Sequence, residues 1–423
     1  MDASQTPPHP QPSAALPKGF HVLIAAQFTS ALADNALLIV AVALLRDRDF
    51  PAWWAPMLKF VFTLSYVLFA PWVGPMADAL PKARLMAWMN GLKWVGALSM
   101  LLLWNPIIGF AIVGLGAAAY APAKYGLITE LVPPAQLVRA NGWIEVSVVS
   151  AALLGVTAGG ILVSQTFMTR MGPAAEFLGA GLYAPSILSI LLLYAVASLL
   201  NWRIPDSGAS YPPSPWHPLQ LMKDFWKAHV TLWADAEGKL SLGVTTLFWG
   251  VAATLQFAVL RWADEVLGLS LDKAAYLQGV VALGIVAGSA IAGRWIPLRW
   301  AHRMLPLGIV MGLCLPLVTS MPDLCSTLAM LSLLGAVCGM LVVPMNALLQ
   351  HRGYVLLSAG RSIAVQGFNE NASILVMLAV YAMCTKLEVP IVEVMLAFGL
   401  FISLAMVGLC WLDMRHRQPP SQT

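Results

Sequence analysis

Gln27, Ser30 and Asp34 recur at intervals of three and four residues inside one long apolar run, Gly19 to Leu45. That spacing places them on one face of a helix. An ionised carboxylate deep in a bilayer costs at least roughly 2.5–3.5 kcal/mol, so Asp34 must face protein or a water-filled cavity. Its chemistry there is to attract a cation, carry a proton or pair with a lysine. Similar groups recur downstream: Asn35 beside Asp34, Tyr120 and Lys124 one turn apart, Asn141 and Glu145 four residues apart. Later runs carry Gln256 and Arg261, then Asn346 and Gln350, then Gln366, Asn369, Glu370 and Ser373 on one helical face.

These groups stand out because the rest of the chain is apolar. Of 423 residues, 59% are hydrophobic and 10% charged, with a mean hydropathy of +0.76; a soluble domain carries roughly 25% charge. Apolar stretches long enough to cross a hydrocarbon core of about 30 Å recur throughout. They predict an all-α integral membrane protein with spans at 19–45, 54–80, 83–104, 106–131, 138–164, 177–203, 239–267, 274–297, 301–320, 323–350, 356–385 and 388–413. Residues 1–18 read as a disordered cytoplasmic N-terminus without the n-region, h-region and cleavage site of a signal peptide, so the first span is retained. Residues 19–203 form one six-helix half, 239–413 the other, and 414–423 a cytoplasmic tail.

The connection 204–238 is rich in proline and then amphipathic from Leu221 to Trp233, as expected of a helix on the membrane surface or of a plain linker helix. Lys and Arg residues favour the side bearing the N-terminus by more than twofold, which puts both termini in the cytoplasm. Lys59 counts with the outer loops, and Lys93, in the middle of the third span, calls for a partner such as Asp34 or Glu145. Lys124 and Arg261, close to span ends, have snorkelling as the plainer alternative. Trp53, Trp54, Trp104 and Trp262 read as interfacial anchors.

The five cysteines have no C-x-x-C spacing and predict neither a disulfide framework nor a metal site. No phosphate loop or catalytic triad is present, so no cofactor and no enzyme activity are expected. A net charge of +4 without a basic block gives no reason to expect nucleic acid.

Six plus six spans around a long cytoplasmic connection is the organisation of a major-facilitator-type transporter. The loop Gly74-Pro75-Met76-Ala77-Asp78-Ala79-Leu80-Pro81-Lys82-Ala83-Arg84 resembles that superfamily's signature between its second and third helices. The resemblance implies gating roles for Gly74, Asp78, Lys82 and Arg84, with Asp78 capping a helix of the opposite half. Ala79 replaces the usual arginine and Pro81 the usual glycine. Spans one, four, seven and ten of such a fold line the central cavity. Gly155, Gly159 and Gly160 in span five read as close helix packing, with Val156 where antiporters carry proline.

Several stretches together look like the bacterial lysophospholipid transporter of the major facilitator superfamily. They include Ala26-Gln27-Phe28, Asp34 through Leu38, Asn90 through Lys93, Gly116 through Gly126, Ala140 through Glu145, Leu247 through Gly250, Val343 through Gln350 and Ile363 through Asn371. The resemblance implies inward flipping of lysophosphatidylethanolamine and lysophosphatidylglycerol across the bacterial inner membrane, by a monomer among membrane lipids. A cytoplasmic acyltransferase/acyl-carrier-protein synthetase would then re-acylate them. Asp34 matches the family's embedded acid, whereas Gln256 stands where the family has an arginine, leaving Arg261 or Lys124 to meet phosphate. On this reading Asp34, Asn35, Tyr120, Lys124, Glu145, Gln256, Arg261, Asn346, Gln366 and Glu370 surround the substrate. A proton-coupled efflux pump for amphipathic drugs is the first rival. A membrane lipid enzyme is the second, weakened because neither His302 nor His351 has an aspartate five residues later.

Overall fold

A computed structural model describes residues 16–417, apart from 52–53, 103–104, 179–180, 213–215, 270 and 322. Most of the expected N-terminal segment, the tail beyond residue 417, Trp53 and Trp104 therefore lie outside the described residues. The chain is an all-α membrane protein built from two groups of spans. The first group comprises α1 (Lys18–Asp47), the pair α2 (Trp54–Leu68) and α3 (Ala70–Ala79), α4 (Lys82–Leu101), α5 (Pro106–Leu131), α6 (Leu137–Leu162) and α8 (Ala184–Trp202). The second comprises α10 (Ala236–Glu265), α11 (Leu271–Trp295), α12 (Pro306–Thr319), α13 (Leu324–Leu356), α14 (Ala359–Lys386) and α15 (Ile391–Arg417). Among the described residues, ten helices are long and apolar enough to cross a membrane, or eleven if α2 and α3 form one span. The remaining position belongs to α4, whose Lys82, Arg84 and Lys93 dilute its apolar character.

Local chemistry sets where these elements start and bend. Asn105, Asp235, Asp323 and Ser358 cap α5, α10, α13 and α14 by accepting from backbone N–H groups of the first turn. The second span bends by 64° between α2 and α3. Pro71 at the start of α3 has no N–H to donate and its ring crowds the preceding turn, which breaks the helix there. An additional helix, α7 (Gln165–Leu178), precedes α8, so the sixth span begins at Ala184 rather than 177. The tenth helix of the twelve-span scheme, α13, runs to Leu356 rather than 350.

The connecting helix α9 (Pro218–Ala234) is amphipathic in fact as well as in pattern. It buries Leu221, Ala228 and Leu232 against the bundle, touching both α3 and α14, while Leu219, Met222, Trp226 and Val230 stay exposed. Trp262 departs from expectation. It is only 1% exposed and packs inside the second half instead of anchoring at the interface.

Candidate functional site

A cavity of about 260 Å³ lies between the halves. Its walls come from α2, α5, α10, α13 and α14, with Val73 of α3 near the base. The bent second span thus takes the place expected of the first, and α1 supplies no lining residue. The charged groups on the walls are Lys59, Lys124 and Glu370; Tyr66, Tyr125, Trp249, Asn346, Gln366 and Asn371 add polar or aromatic surface. Phe62, Pro122, Ile363 and Ile374 make the remainder apolar.

Glu370 is held by its own helix: Gln366 Nε2 donates to Glu370 Oε1 at 2.7 Å and to Asn346 Oδ1 at 3.0 Å. Lys124 is 8% exposed, too enclosed to snorkel. Its ammonium sits 4.1 Å from the Tyr125 ring centroid, a cation–π contact that partly replaces lost hydration. Glu145 is buried with Lys124 as its nearby opposite charge.

Asp34 belongs to a different cluster. Lys93 Nζ lies 2.7 Å from Asp34 Oδ2, and Tyr194 donates to Asp34 Oδ1 at 2.8 Å. Lys93 also donates to Ser30 Oγ at 3.0 Å and stands 5.1 Å over the Tyr120 ring. Ser30 in turn donates to Asn90 Oδ1, and Gln27 to Ser147 Oγ. The whole polar stripe of α1 therefore faces α4, α6 and α8 within the first half.

Six residues expected around the substrate do not line the cavity: Asp34, Asn35, Tyr120, Glu145, Gln256 and Arg261. Asn35 donates to Ala31 O and packs where a side chain on Gly155 would collide with it. Gln256 is exposed, with its carbonyl accepting from Gln278. Arg261 pairs with Glu265 at 2.5 Å near the far end of α10. Lys124, Asn346, Gln366 and Glu370 do come together. Lys59 was missed because its place near the start of α2 reads as a loop-end cation, yet it stands on the cavity wall.

Beneath the cavity, the halves meet on the side of the α3–α4 loop. Asp78 Oδ1 accepts from Gly360 N at 2.8 Å, and Ser358 Oγ donates to Asp78 Oδ2. The carboxylate thereby caps α14 across the interface, where the helix dipole favours a negative charge. Gly74 allows this approach: a Cβ there would meet Ala364 Cβ at 2.9 Å and Arg361 Cα at 3.0 Å. Lys82 lies 4.0 Å from Asp78 but 2.6 Å from Glu130. Glu130 also accepts from Ser207 and Tyr211 of the connection between the halves. Arg84, expected at the gate, is exposed on the surface. Asn141 and Gln350 add a reciprocal pair of 2.8 Å amide hydrogen bonds between α6 and α13.

This architecture, a cavity between two six-span halves sealed at one end by a signature loop, is matched by comparison with known proteins. A family model described as Major Facilitator Superfamily matches residues 23–368. The chain belongs to the major facilitator superfamily. Two relatives of this superfamily member are named Lysophospholipid transporter LplT. One, from Citrobacter koseri, is 39% identical over 402 residues, 95% of this chain and 96% of the relative. The other, from Escherichia coli, is 39% identical over 401 residues, 94% of this chain and 97% of the relative. These relatives place the chain in the same transporter family, a family of carriers and not of enzymes. Among solved structures, the human organic anion transporter MFSD10 superposes with a TM-score of 0.70 at 16% identity, covering 94% of this chain and 99% of that one. The Escherichia coli fucose:proton symporter superposes at 0.71 with 14% identity, covering 95% and 98%. Both likenesses concern the major facilitator fold alone.

Proposed function

We propose that this protein moves lysophospholipids, chiefly lysophosphatidylethanolamine and lysophosphatidylglycerol, from the outer to the inner leaflet of the bacterial inner membrane by alternating access. One observation carries the reading: a cavity between the halves combines two cations, Lys59 and Lys124, with one acid, Glu370, on otherwise largely apolar walls. A lysophospholipid has the matching chemistry. Its phosphate meets Lys124 or Lys59, an ethanolamine ammonium meets Glu370, and the single acyl chain follows the apolar wall toward lipid. Names of the relatives at 39% identity support the same substrate class.

In this cycle the Asp78 cap and the Asn141–Gln350 pair hold the halves together below the cavity, and their release opens the opposite access. Gly74 provides the close contact and Lys82 balances Asp78 and Glu130. Asp34 acts through Lys93, by fixing how α1, α4 and α8 pack beside the cavity. Both termini are cytoplasmic, the working unit is a monomer, and a cytoplasmic acyltransferase/acyl-carrier-protein synthetase consumes the product.

The test is uptake of headgroup-labelled lysophosphatidylethanolamine into spheroplasts lacking their native transporter, with cytoplasmic acylation reporting arrival. Wild-type protein restores uptake, while Lys124→Gln and Glu370→Gln at equal membrane abundance lose most of it. Absence of uptake by correctly inserted wild type refutes the lysolipid reading, and uncoupler-sensitive export of amphipathic drugs then favours the efflux rival. Full uptake by both variants refutes the assigned cavity roles.

A further inference from the structure

A second concavity lies outside the transport cavity, on the lateral seam where α6 of one half meets α11 of the other. It encloses about 560 Å³ and opens near the ends of those helices on the sealed side. Arg139 and Arg294 line it from opposite halves, with Trp143 and Trp295 at its flanks. Both indoles are strongly exposed, 53% for Trp143 and 63% for Trp295.

The seam is tight at its floor. A Cβ on Gly142 would meet the Ser289 carbonyl at 2.8 Å and Gly293 Cα at 3.0 Å. The backbones of the two halves therefore touch here, and the groove above them exists only while they do. Guanidinium groups match phosphate oxygens in a bidentate fashion, and indoles settle at the headgroup level of a bilayer. Basic pockets between spans suit anionic headgroups.

We propose that this groove binds the phosphate of an anionic diacyl phospholipid from the surrounding leaflet, clamping α6 to α11 and favouring the state closed on that side. The two arginines, one from each half, supply the charge; the tryptophans mark the headgroup level, and the chains lie along the outward surfaces of α6 and α11. The ligand is distinct from a transported lysolipid because the groove does not share a lining residue with the cavity between the halves.

The test uses delipidated full-length protein with dioleoyl phosphatidylglycerol, dioleoyl phosphatidylcholine or inorganic phosphate, read by native mass spectrometry and thermal shift. Phosphatidylglycerol is expected to remain as an adduct and raise Tm, with phosphatidylcholine and inorganic phosphate having little effect. The Arg139→Gln/Arg294→Gln double variant is expected to weaken phosphatidylglycerol binding roughly tenfold or more. Arg294→Gln alone, at an exposed position that folding tolerates, is expected to weaken it by a smaller factor. The cavity variant Lys124→Gln keeps full phosphatidylglycerol binding, which separates this site from the transport site. Equal retention of phosphatidylcholine, an equal effect of inorganic phosphate, or unchanged lipid binding in Arg294→Gln and the double variant overturns the proposal.

Discussion

Asn141 and Gln350 stand 209 residues apart in the chain and exchange two amide hydrogen bonds of 2.8 Å, one in each direction, across the interface between the halves. Each amide satisfies the other in a place where both are buried. Truncating one member strands its partner, at a cost of about 1–3 kcal/mol. Since about 1.4 kcal/mol is a factor of ten in an equilibrium, Asn141→Ala shifts the population away from the sealed state by roughly tenfold. Cysteine labelling at a probe position on the sealed side measures this, and unchanged labelling rates would count against the pair as a gate.

Asp78 offers a sharper test of the same interface. Asp78→Ala removes the acceptor for both Gly360 N–H and Ser358 O–H, whereas Ser358→Ala leaves the backbone cap in place. Charge-assisted hydrogen bonds contribute about 1.5–3 kcal/mol each. Labelling on the sealed side therefore rises strongly in Asp78→Ala and less in Ser358→Ala. The reverse order would show that the hydroxyl, rather than the helix terminus, holds the carboxylate.

The Asp34–Lys93 pair separates packing from recognition. Removing either charge leaves the other buried and uncompensated, a loss of about 3–5 kcal/mol for an enclosed pair. Asp34 retains 16% side-chain exposure, which puts the expected loss at the lower end. Asp34→Asn and Lys93→Met each lower Tm and uptake, and the double variant recovers much of both. Recovery of stability without any recovery of uptake would instead give Asp34 a direct role in transport.

Asp235 predicts a pH dependence at the root of α10. The hydrogen bonds from Arg352 hold its carboxyl below the usual carboxylate range, with the Gly238 N–H adding to the effect and partial burial opposing it. The folded pKa is thus depressed, so the contribution is present above the unfolded value of about 3.9. It fades as pH falls through the lower, folded value. The Tm difference between wild type and Arg352→Gln is constant near neutral pH and shrinks only below about pH 4. A difference that persists undiminished at the lowest accessible pH would remove the ion pair as its cause.

The span layout was legible because length and hydropathy report directly on bilayer thickness. Lys93 demanded a partner for the same reason, and Asp34 is that partner. Which face of each span turns to the cavity was much less legible. In a chain where lipid-facing and protein-facing surfaces are both apolar, a polar stripe such as Gln27–Ser30–Asp34 marks an interface without saying which one. It meets α4, α6 and α8, away from the cavity. Lys59 was hidden by its place near a span end, where a lysine reads as a loop cation. Glu130, Ser207 and Tyr211 gave no local signal, since their network joins a span to the connection some 80 residues away.

That connection continues into α9, whose buried face rests on α3 of one half and α14 of the other, with Phe225 against Phe368. Parting the halves there requires α9 to release one of these supports and expose apolar surface to do so. The free energy of that release enters the resting balance between the two access states directly. The orientation in which the carrier waits is therefore adjustable by substitutions in a segment outside the cavity wall, leaving substrate choice and resting bias free to evolve independently.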